Sequence, residues 1–178
     1  MTVHPCPKMP FKALNKEISV MTATFPISAI GHVQCARTEP EDDNWDAFPS
    51  TIRLDAARFG PDALAGLESF SHVEVLYVFD KVGDAEINTT ARHPRGRTDW
   101  PKIGIFAQRG KGRPNRIGAT ICRIVSVQGT TLEVLGLDAI DGTPVIDLKP
   151  VMSGFLPRGP VAEPAWAQEI MKDYWKAP

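Results

Sequence analysis

Apolar and polar residues alternate with a period of two along most of this chain, which marks strands rather than helices. The pattern is clearest in Ser71–Phe79, SHVEVLYVF, where Val73, Val75, Tyr77 and Phe79 share one face of a strand rich in β-branched and aromatic residues. Phe25–Val33 reads as an earlier strand bent near Gly31, and Ser50–Leu54 as a short one. Ile117–Val127 is β-branched enough for a long strand, with Gly129 as the turn and Thr131–Leu137 as the return of a hairpin. Asp138–Lys149 turns at Asp141-Gly142 and enters another strand. The helical period shows in two places only. Phe59–Leu67 suits one or two turns, with Pro61 at the first helical position and Gly66 interrupting. Glu163–Trp175 predicts a helix whose stripe is Trp166, Ile170, Met171 and Tyr174. The expected fold is therefore all-β dominated: a small β-barrel with a short helical segment and a C-terminal helix. A sandwich is the alternative. No βαβ alternation supports a doubly wound sheet.

Composition narrows the picture without redirecting it. The 178 residues favour one domain, and 43% apolar content is ordinary for a globular chain. Net charge is -1, so any nucleic-acid role must come from a local patch. Cys6, Cys35 and Cys122 are odd in number and far apart, without CxxC or paired-histidine spacing; this argues against zinc and for a reducing, cytoplasmic setting. No apolar run is long enough to span a bilayer. The first twenty residues hold Pro5, Pro7, Pro10 and three lysines but no apolar signal core, and Met21 offers a second start. The expected organisation is a mobile arm over 1–24, the barrel over 25–160, and a C-terminal helix packed on it over 161–178.

Charge is concentrated in loops. Ile103–Gly118, IGIFAQRGKGRPNRIG, packs four glycines, one proline and four fixed cations into sixteen residues. It reads as strand, cationic loop, strand: an anion site at a loop mouth, or a solvated basic turn. Ala91–Pro101 is a second cationic loop, with Arg92, Arg95 and Arg97. Cys35–Ser50 is acidic, and Trp45 within it either folds back onto the core or lids a flat ligand. Asp147 and Lys149 share a strand face and could simply pair. His72 reads as a strand-start residue, without a visible partner to orient it as a base. Phosphate-binding P-loops, the dinucleotide GxGxxG context and the GxSxG elbow are absent from the sequence.

Four blocks in order, FSHVEVLYVF, HPRGR, GIFAQRGKGRPNRIG and LDAIDGTPVIDLKP, resemble the TsaA-like, or TrmO-type, family over roughly Ile27–Pro150. Its best-known members are tRNA methyltransferases. The resemblance implies a small barrel that dimerises, binds S-adenosyl-L-methionine at its mouth, and methylates the exocyclic amine of threonylcarbamoyladenosine in the tRNA anticodon loop. It implies cofactor contacts from Asp80 and Lys81, from Arg109, from Ala119, and from Leu137, Asp138, Ala139 and Ile140. The family's early loop corresponds to Asn44, Trp45 and Asp46, although this chain has EPEDDNWD where many members have a proline-arginine-glutamine loop. Asp80 replaces a histidine common in the family, and Gln108, Gly110 and Lys111 depart from FATRS-x-x-RPN. Methyl transfer from a sulfonium asks for in-line positioning rather than a metal or a covalent intermediate. Arg109 could hold a carboxylate of the cofactor or of the modified base, and Asp138 or Asp141 could face the sulfonium. Those three are the expected catalytic residues. Arg92, Arg95, Arg97, Lys111, Arg113 and Arg116 are expected to meet RNA phosphates, and Trp45 or Trp100 to stack an extruded base. A cofactor- or nucleotide-binding module without transfer, or a methyltransferase acting on a small molecule, is the alternative.

Overall fold

Eight strands and one short helix form in the computed structural model, which describes residues 23–176. They are β1 (Gly31–Gln34), β2 (Ser50–Leu54), β3 (His72–Val78), β4 (Ala91–Arg92), β5 (Ile103–Gly104), β6 (Ile117–Gln128), β7 (Thr131–Leu135), β8 (Pro144–Pro150) and α1 (Ala165–Ile170). The arm expected over 1–24 lies, up to residue 22, outside the described residues. Six strands close into a barrel in the order β1-β2-β7-β6-β3-β8, every neighbouring pair antiparallel. Closure leaves the barrel without an unpaired edge. β4 and β5 pair as a separate ribbon, stapled by Gln108, whose side-chain amide donates to the carbonyls of Arg92 and Ile103 at 3.1 and 2.9 Å.

The alternation read in β3 fills the barrel. Val73, Val75 and Tyr77 point inward and meet Val33, Ile52, Leu132, Val134 and Val145 from the other strands. Burying each such side chain contributes about 1.5–3 kcal/mol. Tyr77 pairs with Gly118 across β3 and β6. A Cβ on Gly118 would stand 2.4 Å from the Tyr77 ring, so the last glycine of RPNRIG is the space in which that ring lies.

Three readings change. The strand expected from Phe25 begins only at Gly31, because Phe25 and Ile27 stay largely exposed and give no apolar face to pair. Phe59–Leu67 forms turns followed by a single 3-10 turn at Leu67–Ser69, since Gly66 takes a left-handed φ of 90°. The C-terminal helix is six residues long; Trp166, Ile170 and Tyr174 are half-buried, while Met171 is exposed. Among the described residues no helix is long and apolar enough to cross a membrane.

The strand directions put three connections on one rim. β1, β3 and β7 end there, and β2, β6 and β8 begin there. The acidic loop 35–49, the cationic loops within 79–116 and the 136–143 turn therefore share one barrel mouth.

Candidate functional site at the barrel mouth

Asp138 is the hub of the mouth. Its Oδ1 accepts from Tyr77 Oη at 2.5 Å and from the Thr120 hydroxyl, and its Oδ2 accepts from Tyr174 Oη at 2.7 Å. Tyr77 reaches it because Gly118 makes room, and Thr120 because it faces inward two residues later on β6. These contacts join FSHVEVLYVF, RPNRIGAT and LDAIDGTP through three side chains. Burial, and then the Asp138 charge, push both tyrosine hydroxyls well above their ordinary value, so both remain protonated donors. The same order of causes, with Asp46 added, raises the Cys122 thiol and keeps it inert.

Arg109 lies beside this hub. Its Nη2 donates to the carbonyl of Ala119, and no carboxylate oxygen lies within 4 Å of it among the described residues. The resemblance-derived contacts Arg109, Ala119 and Asp138 thus come together, with Leu137 and Ala139 buried on either side of Asp138. Asp80 and Lys81 stand just past the end of β3 and pair with each other at 3.4 Å. Asp141 is an exposed turn residue whose carboxylate accepts from the Cys35 amide at 3.1 Å. The following Gly142 has φ 79°, a left-handed value that suits glycine.

The acidic loop closes over the mouth. Asn44 holds φ 64° and Trp45 is buried at 7% exposure, with the Arg37 guanidinium 4.0 Å above its ring. Arg37 is itself buried, donating to the Asp43 carbonyl at 2.7 Å and to Glu41. Asp46 lies against Gly136, where a Cβ would meet its Oδ1 at 2.8 Å. Every non-glycine residue with positive φ among the described residues, Asn44, Arg95 and Arg116, sits in a mouth loop. Such conformations cost about 1–3 kcal/mol each and concentrate at functional sites.

The expected RNA contacts divide. Arg95 pairs with Asp43 at 2.7 Å and Asp42 at 3.6 Å, Arg97 with Asp99 and with Glu169 at 3.0 Å, and Arg116 with Asp84. Arg92 is half-buried and wedged against Gly110, where a Cβ would come 2.5 Å from its Nη2. Lys111 and Arg113 have no carboxylate within 4 Å among the described residues. The stacking expected of Trp45 and Trp100 is corrected. Trp100 is 6% exposed, with Arg97 4.0 Å from its ring and Glu169 accepting from its Nε1. Both indoles are buried under arginines and offer no open face. Asp147 and Lys149 pair, and His72 shares a 2.8 Å hydrogen bond with Ser71 at the strand start.

Sequence reasoning missed Tyr77 and Thr120 as partners of Asp138, placed Tyr174 only on the stripe of a helix, and missed Arg37 altogether. The inward alternation of β3 and β6 was a usable signal for the first two. For Tyr174 there was none, because Asp138 is 36 positions away; Arg37 has its partners Glu41, Asp43 and Trp45 close by in the chain, but nothing local shows that it is buried against them.

A ligand with an anionic group and hydrogen-bond acceptors fits the residues present. Arg109 is free of carboxylates, and the buried Trp45 Nε1 has no hydrogen-bond partner.

Comparison with known proteins agrees with this arrangement. The family model described as the tRNA-methyltransferase O N-terminal domain matches residues 37–155. Among curated relatives, the tRNA (adenine(37)-N6)-methyltransferase of Escherichia coli is 37% identical over 111 residues, 60% of this chain and 46% of that protein. The mouse protein of the same name is 42% identical over 93 residues, 52% of this chain and 21% of that protein. A probable S-adenosyl-L-methionine-binding protein of Methanothermobacter thermautotrophicus is 45% identical over 89 residues, 50% of this chain and 61% of that protein. The chain thus spans from about a fifth to three fifths of the length of these relatives. The crystal structure of TrmO from Pseudomonas aeruginosa superimposes with a TM-score of 0.64 at 27% identity, covering 79% of this chain and 61% of that one. With the family model covering the three sequence blocks that meet at Asp138 and the barrel shared with a solved structure, the chain belongs to the tRNA-methyltransferase O N-terminal domain family.

Proposed function

We propose that this protein is an S-adenosyl-L-methionine-dependent methyltransferase acting on the exocyclic amine of threonylcarbamoyladenosine in the tRNA anticodon loop. The observation that carries the reading is the convergence of Arg109, Ala119 and Asp138 at one barrel mouth, joined by the Thr120–Asp138 hydrogen bond. Two of the curated relatives bear the name tRNA (adenine(37)-N6)-methyltransferase, and a third is named for S-adenosyl-L-methionine binding.

The cofactor, when bound, supplies an electrophilic methyl group on a sulfonium. Asn44, Trp45 and Asp46, Asp80 and Lys81, Arg109, Ala119, and Leu137 to Ile140 hold it at the mouth. Arg109 offers a planar pair of donors to a carboxylate. Three hydroxyl partners fix the orientation of the Asp138 carboxylate, so it acts as a preorganised electrostatic group rather than a mobile base. Asp141 adds a second carboxylate at the turn. Lys111 and Arg113 meet RNA phosphates, with Arg92, Arg95, Arg97 and Arg116 contributing behind them once their present contacts yield. A cytoplasmic homodimer completes the reading. Ile121 and Val125, about half exposed on the outer face of β6, support a second copy packing there.

Calorimetric titration with S-adenosyl-L-methionine tests the cofactor, and methyl incorporation into total tRNA tests the reaction. A micromolar dissociation constant, about -8 kcal/mol, is expected. Binding without incorporation would support the binding-module alternative, and absence of binding would remove the cofactor assignment.

A further inference from the structure

Residues 156–176 fall outside the family-model match, yet their last turn is built onto the mouth. The Trp45 amide donates to the Tyr174 carbonyl at 3.0 Å, and the Asn44 amide to the Asp173 carbonyl at 3.3 Å. The Tyr174 ring lies 6.5 Å from Trp45 and 4.9 Å, edge to face, from Trp175, with Arg95 6.0 Å above it. Its hydroxyl is the only hydrogen-bond partner of Asp138 Oδ2 among the described residues. One residue therefore grips both cofactor loops, 44–46 by its backbone and 137–140 by its side chain. In the last turn of α1, Glu169 ties the same segment to Trp100 and Arg97.

We propose that Tyr174 is a positioning residue for cofactor binding: it clamps the Asn44–Asp46 loop and the Leu137–Ile140 turn in a single frame. The inference rests on the cofactor reading above. Two physical effects combine. The clamp lowers the ordering that binding would otherwise require of two independent loops. The hydroxyl also satisfies Asp138 Oδ2, so that this carboxylate does not draw a neighbouring cation; of the guanidinium groups, Arg95 and Arg109 lie near enough to act on Tyr174. Arg109 then remains available for the ligand's own carboxylate.

Tyr174→Phe is the test, because it keeps the ring and removes only the hydroxyl. The readouts are S-adenosyl-L-methionine affinity, amide hydrogen exchange at Asn44 and Trp45 in the ligand-free protein, and KM against kcat. The expected result is about tenfold weaker cofactor binding, faster exchange at both amides, a raised cofactor KM and an unchanged kcat at saturating cofactor. Glu169→Ala, which loosens the same segment at its separate tie to Trp100 and Arg97, is expected to weaken binding two- to threefold and guards against a folding failure of the first variant. Wild-type affinity in both variants would overturn the clamp and leave the cofactor assignment standing. If the wild-type protein takes up no cofactor, the underlying assignment falls and the clamp with it.

Discussion

The two cationic loops carry similar charge in sequence and opposite fates in the fold. In Ala91–Pro101, Arg95 and Arg97 face Asp42, Asp43, Asp99 and Glu169, and Arg92 is wedged against the neighbouring glycine turn. In Ile103–Gly118, Arg109, Lys111 and Arg113 have no carboxylate within reach among the described residues. The first loop spends its charge holding the acidic loop and the C-terminal segment in place. Among the described residues the second ties only Arg116, to Asp84, and keeps Arg109, Lys111 and Arg113 for a ligand. A count of cations along the chain cannot separate the two, because the acidic partners arrive from residues up to 72 positions away, as Glu169 does for Arg97.

The largest test of this contrast is steric. Gly112→Ala would place a Cβ 2.6 Å from the carbonyl oxygen of Glu86, a backbone atom that cannot swing aside. A loss of about 1–3 kcal/mol is expected in denaturant unfolding; full stability would mean that the second loop is not held as described. Next comes charge. The double change Lys111→Ala with Arg113→Ala is expected to weaken tRNA binding at least about tenfold and to lower the salt slope by about one per cation. Arg95→Ala or Arg97→Ala should change RNA affinity less than about twofold, the weak effect of cations already screened by carboxylates. Equal losses in the two loops would erase the distinction.

Acid provides the smallest and sharpest probe. The Arg97 guanidinium beside Asp99 holds that carboxyl below the usual carboxylate range. A carboxyl lowered in the fold keeps its ion pair above its ordinary pKa of about 4 and loses it as pH falls through the lowered value. The RNA-affinity difference between wild type and Arg97→Ala should therefore stay flat from about pH 8 to 5 and grow only below about 4. A change near neutrality would show that Arg97 is not held by Asp99.

Legibility followed the range of the interaction. β3 and β6 could be read because alternation is a local signal, and Gly129 and Asp141-Gly142 because turns need particular backbone angles. The helix of Glu163–Trp175 was overread. Its stripe of Trp166, Ile170 and Tyr174 is real, but Tyr174 is held by Asp138 and Trp45 in a non-helical turn, and tertiary contact overrode the local period.

By itself the sequence determined that this protein builds an all-β-dominated fold of short strands, where its main turns fall, and which four blocks carry the family pattern. Those properties follow from side-chain alternation and backbone sterics, which act over a few residues. Only the tertiary structure decided that Gly118 houses the Tyr77 ring, that Asp138 is held by three hydroxyls, and which arginines stay unpaired. Hydrogen bonds and ion pairs form between groups within a few ångströms in space, and barrel closure, not chain order, chose those neighbours.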